Sequence, residues 1–401
     1  MTNTLNELKS RLPFKDCRDI HFNPADLACT PAYVVDTDLV KANLKLLDFV
    51  RQQTGAKILL AQKAFANFPL YPLLSRYLDG TTASGLYEAR LGHDYFPGEV
   101  HVFSPAFKKE DMAEVCDLAD TIVFNSLNQW RKHRAAVTGH PRSREISCGL
   151  RVNPRHSTQG GGLYDPCAPL SRFGVTADQL AQNGLPEGIE GLHFHTLCEQ
   201  GLDALAETLA VFEKDFGPYL EQIKWLNLGG GHHITRRDYD VAGLLNILCR
   251  LRDRYGLQVY LEPGEAVVLN AGFLVSEVME IVHNEGDIAI LDASAECHMP
   301  DVLAMPYRPE IEGGGPAGER AHTYRLSSCT CLAGDITGDY SFDRPLKEGD
   351  RLIFYDMALY TMVKNNTFNG MPLPDIVTHS QAEGLKLLKT FSYEDFKSRL
   401  G

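Results

Sequence analysis

Of the 401 residues, no stretch approaches the roughly 18 consecutive apolar positions that a membrane-spanning helix requires, and the opening MTNTLNELKSRLPF contains no apolar signal core. The expectation is a cytoplasmic protein with no membrane partner. Positive charge is also scarce. Lys and Arg number 39 against 52 Asp and Glu, a formal net charge of -13, which argues against a nucleic-acid partner and suits a cationic small molecule. The 10 cysteines include no CxxC pair and no zinc-ribbon spacing, so reduced thiols fit better than a disulfide framework, and no metal site is expected. Internal repeats and low-complexity tracts are absent as well.

What remains is a chain that is 44% hydrophobic, with ample material for a large core. From residue 57 to 262, short apolar runs alternate with segments whose apolar spacing is nearer 3.6 than 2. Eight runs read as strands: KILLAQ (57–62), GTTAS (80–84), VHVFS (100–104), TIVFN (121–125), ISCGLRV (146–152), GLHFH (191–195), KWLNLG (224–229) and QVYLEP (258–263). Between them GLYEARLG, KKEDMAEVCDLA and LDALAETLAVFEKDF read as helices. This alternation predicts an α/β fold built on a (β/α)8 barrel, with a doubly wound sheet as the competing arrangement.

Beyond residue 273 the texture changes to FLVSEVMEIV, DIAILDAS, TYRLSSCTCLAGD and DRLIFYDMALYTM. These read as strands without intervening helices. A barrel over 31–273 is expected, with 1–30 and 274–401 forming a mostly β domain that completes the active site. The strand-like PAYVVD (31–36) can pair with that later sheet, and EIEGGGPAGER (310–320) reads as an exposed loop.

Chemistry in such a barrel gathers at the C-terminal ends of the strands, and phosphate sites often lie behind strands 7 and 8. Lys63 ends the first strand, His195 the sixth, GGGHH (229–233) follows the seventh and EPGEA (262–266) the eighth. Taken singly, each has an ordinary reading: a snorkelling lysine, a satisfied core histidine, a glycine connector, a surface acid before a Pro-Gly turn. Together they meet the needs of a pyridoxal phosphate site. Such a site wants an amine to hold the cofactor, a flat ring against it, N–H dipoles for the phosphate, and a carboxylate that keeps the pyridine nitrogen protonated. HFH and GGGHH also invite a metal-dependent hydrolase, but in the barrel hydrolases weighed against it the paired histidines end strand 1, where this chain has Lys63.

In this order AQKAFAN, HFHT, LGGG and EPGE resemble the motifs of the fold-type III pyridoxal phosphate decarboxylases, which include the ornithine and diaminopimelate enzymes. CTCLAGD (329–335) is similar to that family's catalytic-cysteine motif, and ALYT (358–361) with FNG (368–370) to its tyrosine motif. ILDASAECHMPDVLAMPYRPEI and SCTCLAGD are similar to the branch acting on carboxynorspermidine and carboxyspermidine. The resemblance covers residues 30–375 and implies an alanine-racemase-like barrel followed by a β domain. It further implies pyridoxal 5'-phosphate as cofactor, decarboxylation of a small cationic amino acid of polyamine type, and a homodimer with shared active sites. On this basis Lys63 would hold the cofactor, His195 would stack on its ring, Gly229, Gly230, Gly231 and Tyr360 would contact phosphate, and Glu262 would face the pyridine nitrogen. Cys331 would enter from the second subunit, with Cys331 or Lys63 supplying a proton to the product.

Two positions depart from the ornithine and diaminopimelate pattern. Glu265 stands where those enzymes carry an arginine, and Leu332 where they carry an acid after the cysteine. An acid in place of a base favours a substrate with extra ammonium groups over one with a distal carboxylate. Glu265, Asp301 and Asp335 are therefore the expected grips for the substrate amines. The alternatives within the fold are a decarboxylase acting on diaminopimelate, ornithine or arginine, a racemase, which would pair an arginine with the pyridine nitrogen, and a barrel-only cofactor carrier.

Overall fold

In a computed structural model the chain is described over residues 2–13, 20–159 and 164–401. Two compact units comprise Met1–Ser10 with Leu44–Val267, and Arg11–Asn43 with Val268–Gly401. Among the described residues no helix is long and apolar enough to cross a membrane.

In the first unit eight parallel strands close into a barrel: Lys57–Ala61, Gly80–Ala83, Glu99–Ser104, Thr121–Phe124, Ser147–Asn153, Gly191–His193, Trp225–Asn227 and Gln258–Leu261. They pair in chain order, and the eighth returns to the first with Tyr260 opposite Lys57 and Leu261 opposite Ile58. All eight are the expected strands. Parallel neighbours need a crossover between them, and helices at Leu86–Tyr95, Met112–Leu118, Leu127–Thr138, Leu202–Leu220 and Val241–Tyr255 supply most of these. Local chemistry marks their ends. The Ser126 hydroxyl accepts the Gln129 N–H at 3.0 Å and Asp240 accepts the Gly243 N–H at 2.9 Å, each satisfying an orphan donor at a helix start. Gly256, at φ 67°, ends the last of these helices. The helix Leu202–Leu220 buries Leu205, Leu209, Phe212, Phe216 and Leu220 along one stripe.

Inside the barrel Trp225 packs with Leu59, Val123 and Tyr260. Its indole N–H donates to Ser147 Oγ at 2.8 Å, so the buried ring leaves no orphan donor. The ring occupies the space that side chains at two neighbouring strands would otherwise take. A Cβ on Gly149 or Gly191 would run into it, which is why glycine stands at those positions on the fifth and sixth strands.

The second unit is built on a nine-stranded, mostly antiparallel sheet. Gly272–His283 is its long central strand, flanked by Asp287–Leu291, Arg351–Tyr355 and Ala32–Asp36. Ala32–Asp36 also runs parallel to Asp375–Ser380, which pairs with Gly384–Lys389. The ladder continues on the other side through His322–Ser328, Ile336–Phe342 and Gly314–Pro316.

The unit boundaries differ from those expected. Ala32–Asp36 is buried along its whole length and laddered on both sides within the second sheet, so this segment groups with the sheet and not with the barrel. Conversely, the N-terminal helix Thr2–Ser10 groups with the barrel, where Lys9 Nζ donates to the Tyr239 carbonyl at 3.0 Å. The expected loop at 310–320 contains the strand Gly314–Pro316, whose register opposite Tyr340–Phe342 comes from a long-range partner and not from its own glycine-rich sequence.

The packing around Trp225 makes a testable prediction. Gly191→Ala should cost about 1–3 kcal/mol through overpacking, read as a lower thermal midpoint, and Trp225→Phe in the same chain should restore part of the loss. An unchanged midpoint for Gly191→Ala would show that the ring has room to move.

Candidate active site

The C-terminal ends of four barrel strands carry the expected groups. Lys63 lies two residues past the first strand, His195 two past the sixth, Gly229–Gly231 just past the seventh, and Glu262 directly after the eighth. Lys63 Nζ sits 3.2 Å from His195 Nε2. The other ring nitrogen, Nδ1, accepts the Gly230 N–H at 3.1 Å. A neutral imidazole that accepts at Nδ1 carries its proton on Nε2. The lysine nitrogen must then accept that proton's hydrogen bond, which an ammonium, having no lone pair, cannot do.

The electrostatics agree with this geometry. Burial pushes the Lys63 amine below its ordinary range, and the nearby Arg151 cation pushes it further, against the opposing pull of Glu262 and Glu265. Burial, then Lys63 and Arg151, hold the His195 imidazole well below its usual value. The free-base amine and the neutral ring are therefore mutually consistent. Arg151, 4% exposed, donates to the His195 carbonyl at 3.0 Å and lies over the rings of Phe103 and Phe173 at 4.7 and 4.2 Å. Its pKa is pushed down to about 10 by burial, with Glu262 opposing, so it keeps its charge at neutral pH.

Glu262 has the opposite character. Burial alone would raise its pKa, but the His193 imidazole, with Nε2 3.3 Å from Oε2, and the Asn227 amide, which donates to Oε1 at 2.8 Å, outweigh burial and hold the carboxyl well below the usual range. An ionised carboxylate thus faces the same barrel end as an uncharged amine. Asn227 also accepts the Gly229 N–H on its Oδ1 at 2.8 Å, so one amide ties the glycine turn to the acid.

The glycines are required by closeness and conformation. Gly229 and Gly231 have φ of 68° and 85°, and a Cβ on Gly230 would collide with the Glu262 carbonyl. Two of the N–H groups expected to point at a phosphate are instead engaged inside the protein, Gly229 with Asn227 and Gly230 with His195. Those donors shape the turn. A free amine, a neutral flat ring, an ionised carboxylate and a turn without side chains form a donor set that fits pyridoxal phosphate.

Asn227 and Arg151 escaped the sequence reading, and His193 entered it only as half of a possible metal-binding pair. Each is polar within an apolar strand, and His193 precedes His195 by two, the spacing that puts two side chains on one face of a strand. The structure gives that alternation a different use, with His193 turned to Glu262 and His195 to Lys63.

Glu265, expected to meet substrate amines, is 9% exposed, and its Oε2 lies 2.7 Å from His233 Nε2. The histidines weighed for a metal site are taken separately: His232 by the Tyr239 hydroxyl at 2.6 Å, His233 by Glu265, His193 by Glu262 and His195 by Lys63. Among the described residues no three His, Cys, Asp or Glu side chains are grouped to hold a metal ion.

In the second unit Cys331 is exposed, and its N–H donates to Asn369 Oδ1 at 2.7 Å, joining the cysteine motif to FNG. Tyr360, at φ 57°, precedes the short helix Thr361–Lys364, and Lys364 Nζ lies 5.2 Å from the centre of its ring. The same Lys364 Nζ meets Asp301 Oδ1 at 2.5 Å.

Asp335 corrects the expectation of a substrate grip. It is 1% exposed and receives the hydroxyls of Ser294, Ser328 and Thr330 at 2.7, 2.6 and 2.6 Å and the N–H groups of Ala295 and Glu296 at 2.8 and 3.1 Å. Burial opposes ionisation, but these bonds outweigh it and lower the pKa. A carboxylate so saturated fastens the cysteine-bearing loop to the turn at 294–296 and has no capacity left for an incoming amine.

Comparison with known proteins extends this geometry. Residues 32–358 match the sequence profile of the family described as pyridoxal-dependent decarboxylase, C-terminal sheet domain. The chain is 43% identical over 381 residues to the carboxynorspermidine/carboxyspermidine decarboxylase of Campylobacter jejuni, covering 92% of this chain and 98% of that protein. It is also 43% identical over 374 residues to the carboxyaminopropylagmatine decarboxylase of Synechocystis, covering 93% and 95%. The crystal structure of the C. jejuni carboxynorspermidine decarboxylase complexed with norspermidine superposes with a TM-score of 0.84 at 42% identity over 92% of this chain and 99% of that one. A profile match over residues 32–358 and near-full-length identity of 43% to a decarboxylase, in a chain that brings Lys63, His195 and Glu262 to one barrel end, place it in the pyridoxal-dependent decarboxylases.

Proposed function

We propose that the chain removes the carboxylate of carboxynorspermidine and carboxyspermidine, releasing norspermidine and spermidine in polyamine biosynthesis. The observation that carries this reading is near-full-length identity of 43% to a C. jejuni enzyme of that activity, joined to a Lys63–His195–Glu262 constellation suited to the cofactor. A second relative, from Herminiimonas arsenicoxydans and of the same described activity, is 37% identical over 92% of this chain. The equal identity to the carboxyaminopropylagmatine enzyme supports a second reading, in which the distal group is a guanidinium in place of an ammonium.

When bound, pyridoxal phosphate supplies an electron sink for the carbanion left by CO2. The chain's own residues would do the rest. Lys63, held as a free base by His195, is the nucleophile that takes hold of the cofactor. His195, fixed at both nitrogens by Lys63 and Gly230, would offer its face to the ring. Glu262, ionised and held by Asn227 and His193, would keep a proton on the pyridine nitrogen. The loops after the seventh and eighth strands, together with Tyr360, would receive the phosphate, and Asp301, paired with Lys364 in the free protein, is the acid we assign to the substrate amines, which would take that cation's place. Cys331 or Lys63 returns the proton to the carbon that lost the carboxylate. We further propose a cytoplasmic homodimer without a nucleic-acid partner, in which Cys331 serves the site of the other copy.

Two measurements check these assignments. In a substrate panel, kcat/KM for carboxynorspermidine and carboxyspermidine should exceed that for diaminopimelate, ornithine and arginine by at least about 100-fold, and Lys63→Ala should abolish turnover of all. A preference for carboxyaminopropylagmatine would select the second reading, and activity on diaminopimelate alone would refute both. For the shared site, mixing Lys63→Ala with Cys331→Ala under conditions of subunit exchange should restore about a quarter of wild-type activity, because half of randomly paired dimers carry one intact site. A mixture no more active than its parts would place Cys331 outside the other copy's chemistry.

A further inference from the structure

Glu265 is the acid whose position the fold changes most in meaning. It opens the short helix Glu265–Val268 behind the eighth strand, and its carboxylate is turned onto His233, itself 8% exposed, in the loop behind the seventh. The His233 N–H donates to the Gln200 carbonyl at 3.0 Å, and the Gln200 N–H donates to the Gly231 carbonyl at 3.1 Å. A continuous path therefore runs from Glu265 through His233 and Gln200 to the last glycine of the turn. Two further ties hold the same pair of loops together. The Glu262 N–H donates to the Gly229 carbonyl at 2.8 Å, and the Thr235 hydroxyl donates to the Ala266 carbonyl at 2.7 Å.

We propose that Glu265 is a positioning residue for the phosphate end of the cofactor, acting through His233 on the Gly229–Gly231 turn, and is not a ligand of the substrate amines. Three physical points support this. Turning the carboxylate toward an amine would strip His233 Nε2 of its acceptor in a buried place, which costs the desolvation of that group. A carboxylate left unpaired behind strands 7 and 8 would repel a phosphate there, whereas one engaged with an imidazole is locally offset. And the turn cannot hold its own shape by packing, since it has no side chains; its conformation must come from bonds such as those ending at Gly231 and Gly229. This assignment rests on the pyridoxal phosphate reading of the site.

The test separates the two. Apoprotein is titrated with pyridoxal phosphate and, separately, with pyridoxal, which lacks the phosphate, for the wild type, Glu265→Gln, His233→Asn and the double variant; KM for carboxynorspermidine is measured at saturating cofactor. Loss of one charge-assisted bond should weaken pyridoxal phosphate binding on the order of tenfold. Pyridoxal affinity and KM should stay unchanged, and the double variant should lose no more than either single one. A raised KM with unaltered cofactor affinity would return Glu265 to the substrate and overturn the assignment. Equal losses for pyridoxal and pyridoxal phosphate would reduce the pair to general packing and also overturn it. Should the wild-type apoprotein take up no pyridoxal phosphate at Lys63, the cofactor reading falls and this assignment with it.

Discussion

The contact on which the site depends is the one between Lys63 Nζ and His195 Nε2 at 3.2 Å. Its direction is decided elsewhere, by the Gly230 N–H that occupies Nδ1 and so puts the imidazole proton on Nε2. A backbone donor in the loop after the seventh strand thus sets the protonation state of a side chain at the end of the first. Asn227 extends the arrangement, with one end of its amide on Gly229 and the other on Glu262. The ends of four strands are joined by three bonds, and a barrel whose strands close in register is what makes such distances reproducible.

Charge is distributed in the same economical way. An amine and a carboxylate at one barrel end would ordinarily form an ion pair. Here burial, and after it Arg151, disfavours the ammonium while His193 and Asn227 hold the carboxylate ionised, so both groups are shifted toward their deprotonated forms. Titratable groups shifted by burial and by specific neighbours are a mark of acid–base and nucleophilic chemistry. The guanidinium that does this is itself buried against Phe103 and Phe173, a placement in which lysine could not offer the same planar contact.

Much of this was legible in the sequence, for identifiable reasons. The barrel strands could be read because short apolar runs punctuated by helical spacing have few other solutions, and Lys63, His195 and Glu262 because they stand where those runs end. The identity of the partners was not legible. Glu265 and Asp335 are carboxylates at plausible places, yet one is claimed by His233 and the other by five donors, and nothing within EPGEA or AGD announces those contacts. Gly314–Pro316, whose register is set by a distant partner, was missed for the same reason: its local composition says turn or loop, and the ladder is decided by the strand beside it. Ala32–Asp36 shows the converse, since it was readable both as a strand and as a partner of the later sheet, and it pairs there on both edges.

The pH dependence of cofactor capture at Lys63 reports on the Lys63–His195 contact itself. Apoprotein is mixed with pyridoxal phosphate across a pH series, reduced with borohydride, and the labelled peptide quantified by mass spectrometry. An adduct should form on Lys63 with a midpoint below the ordinary lysine value of about 10.4. Arg151→Met should move that midpoint upward, because removing the neighbouring cation stabilises the ammonium. An adduct on another lysine, or a Lys63 midpoint at the ordinary value and indifferent to Arg151, would contradict a free-base Lys63.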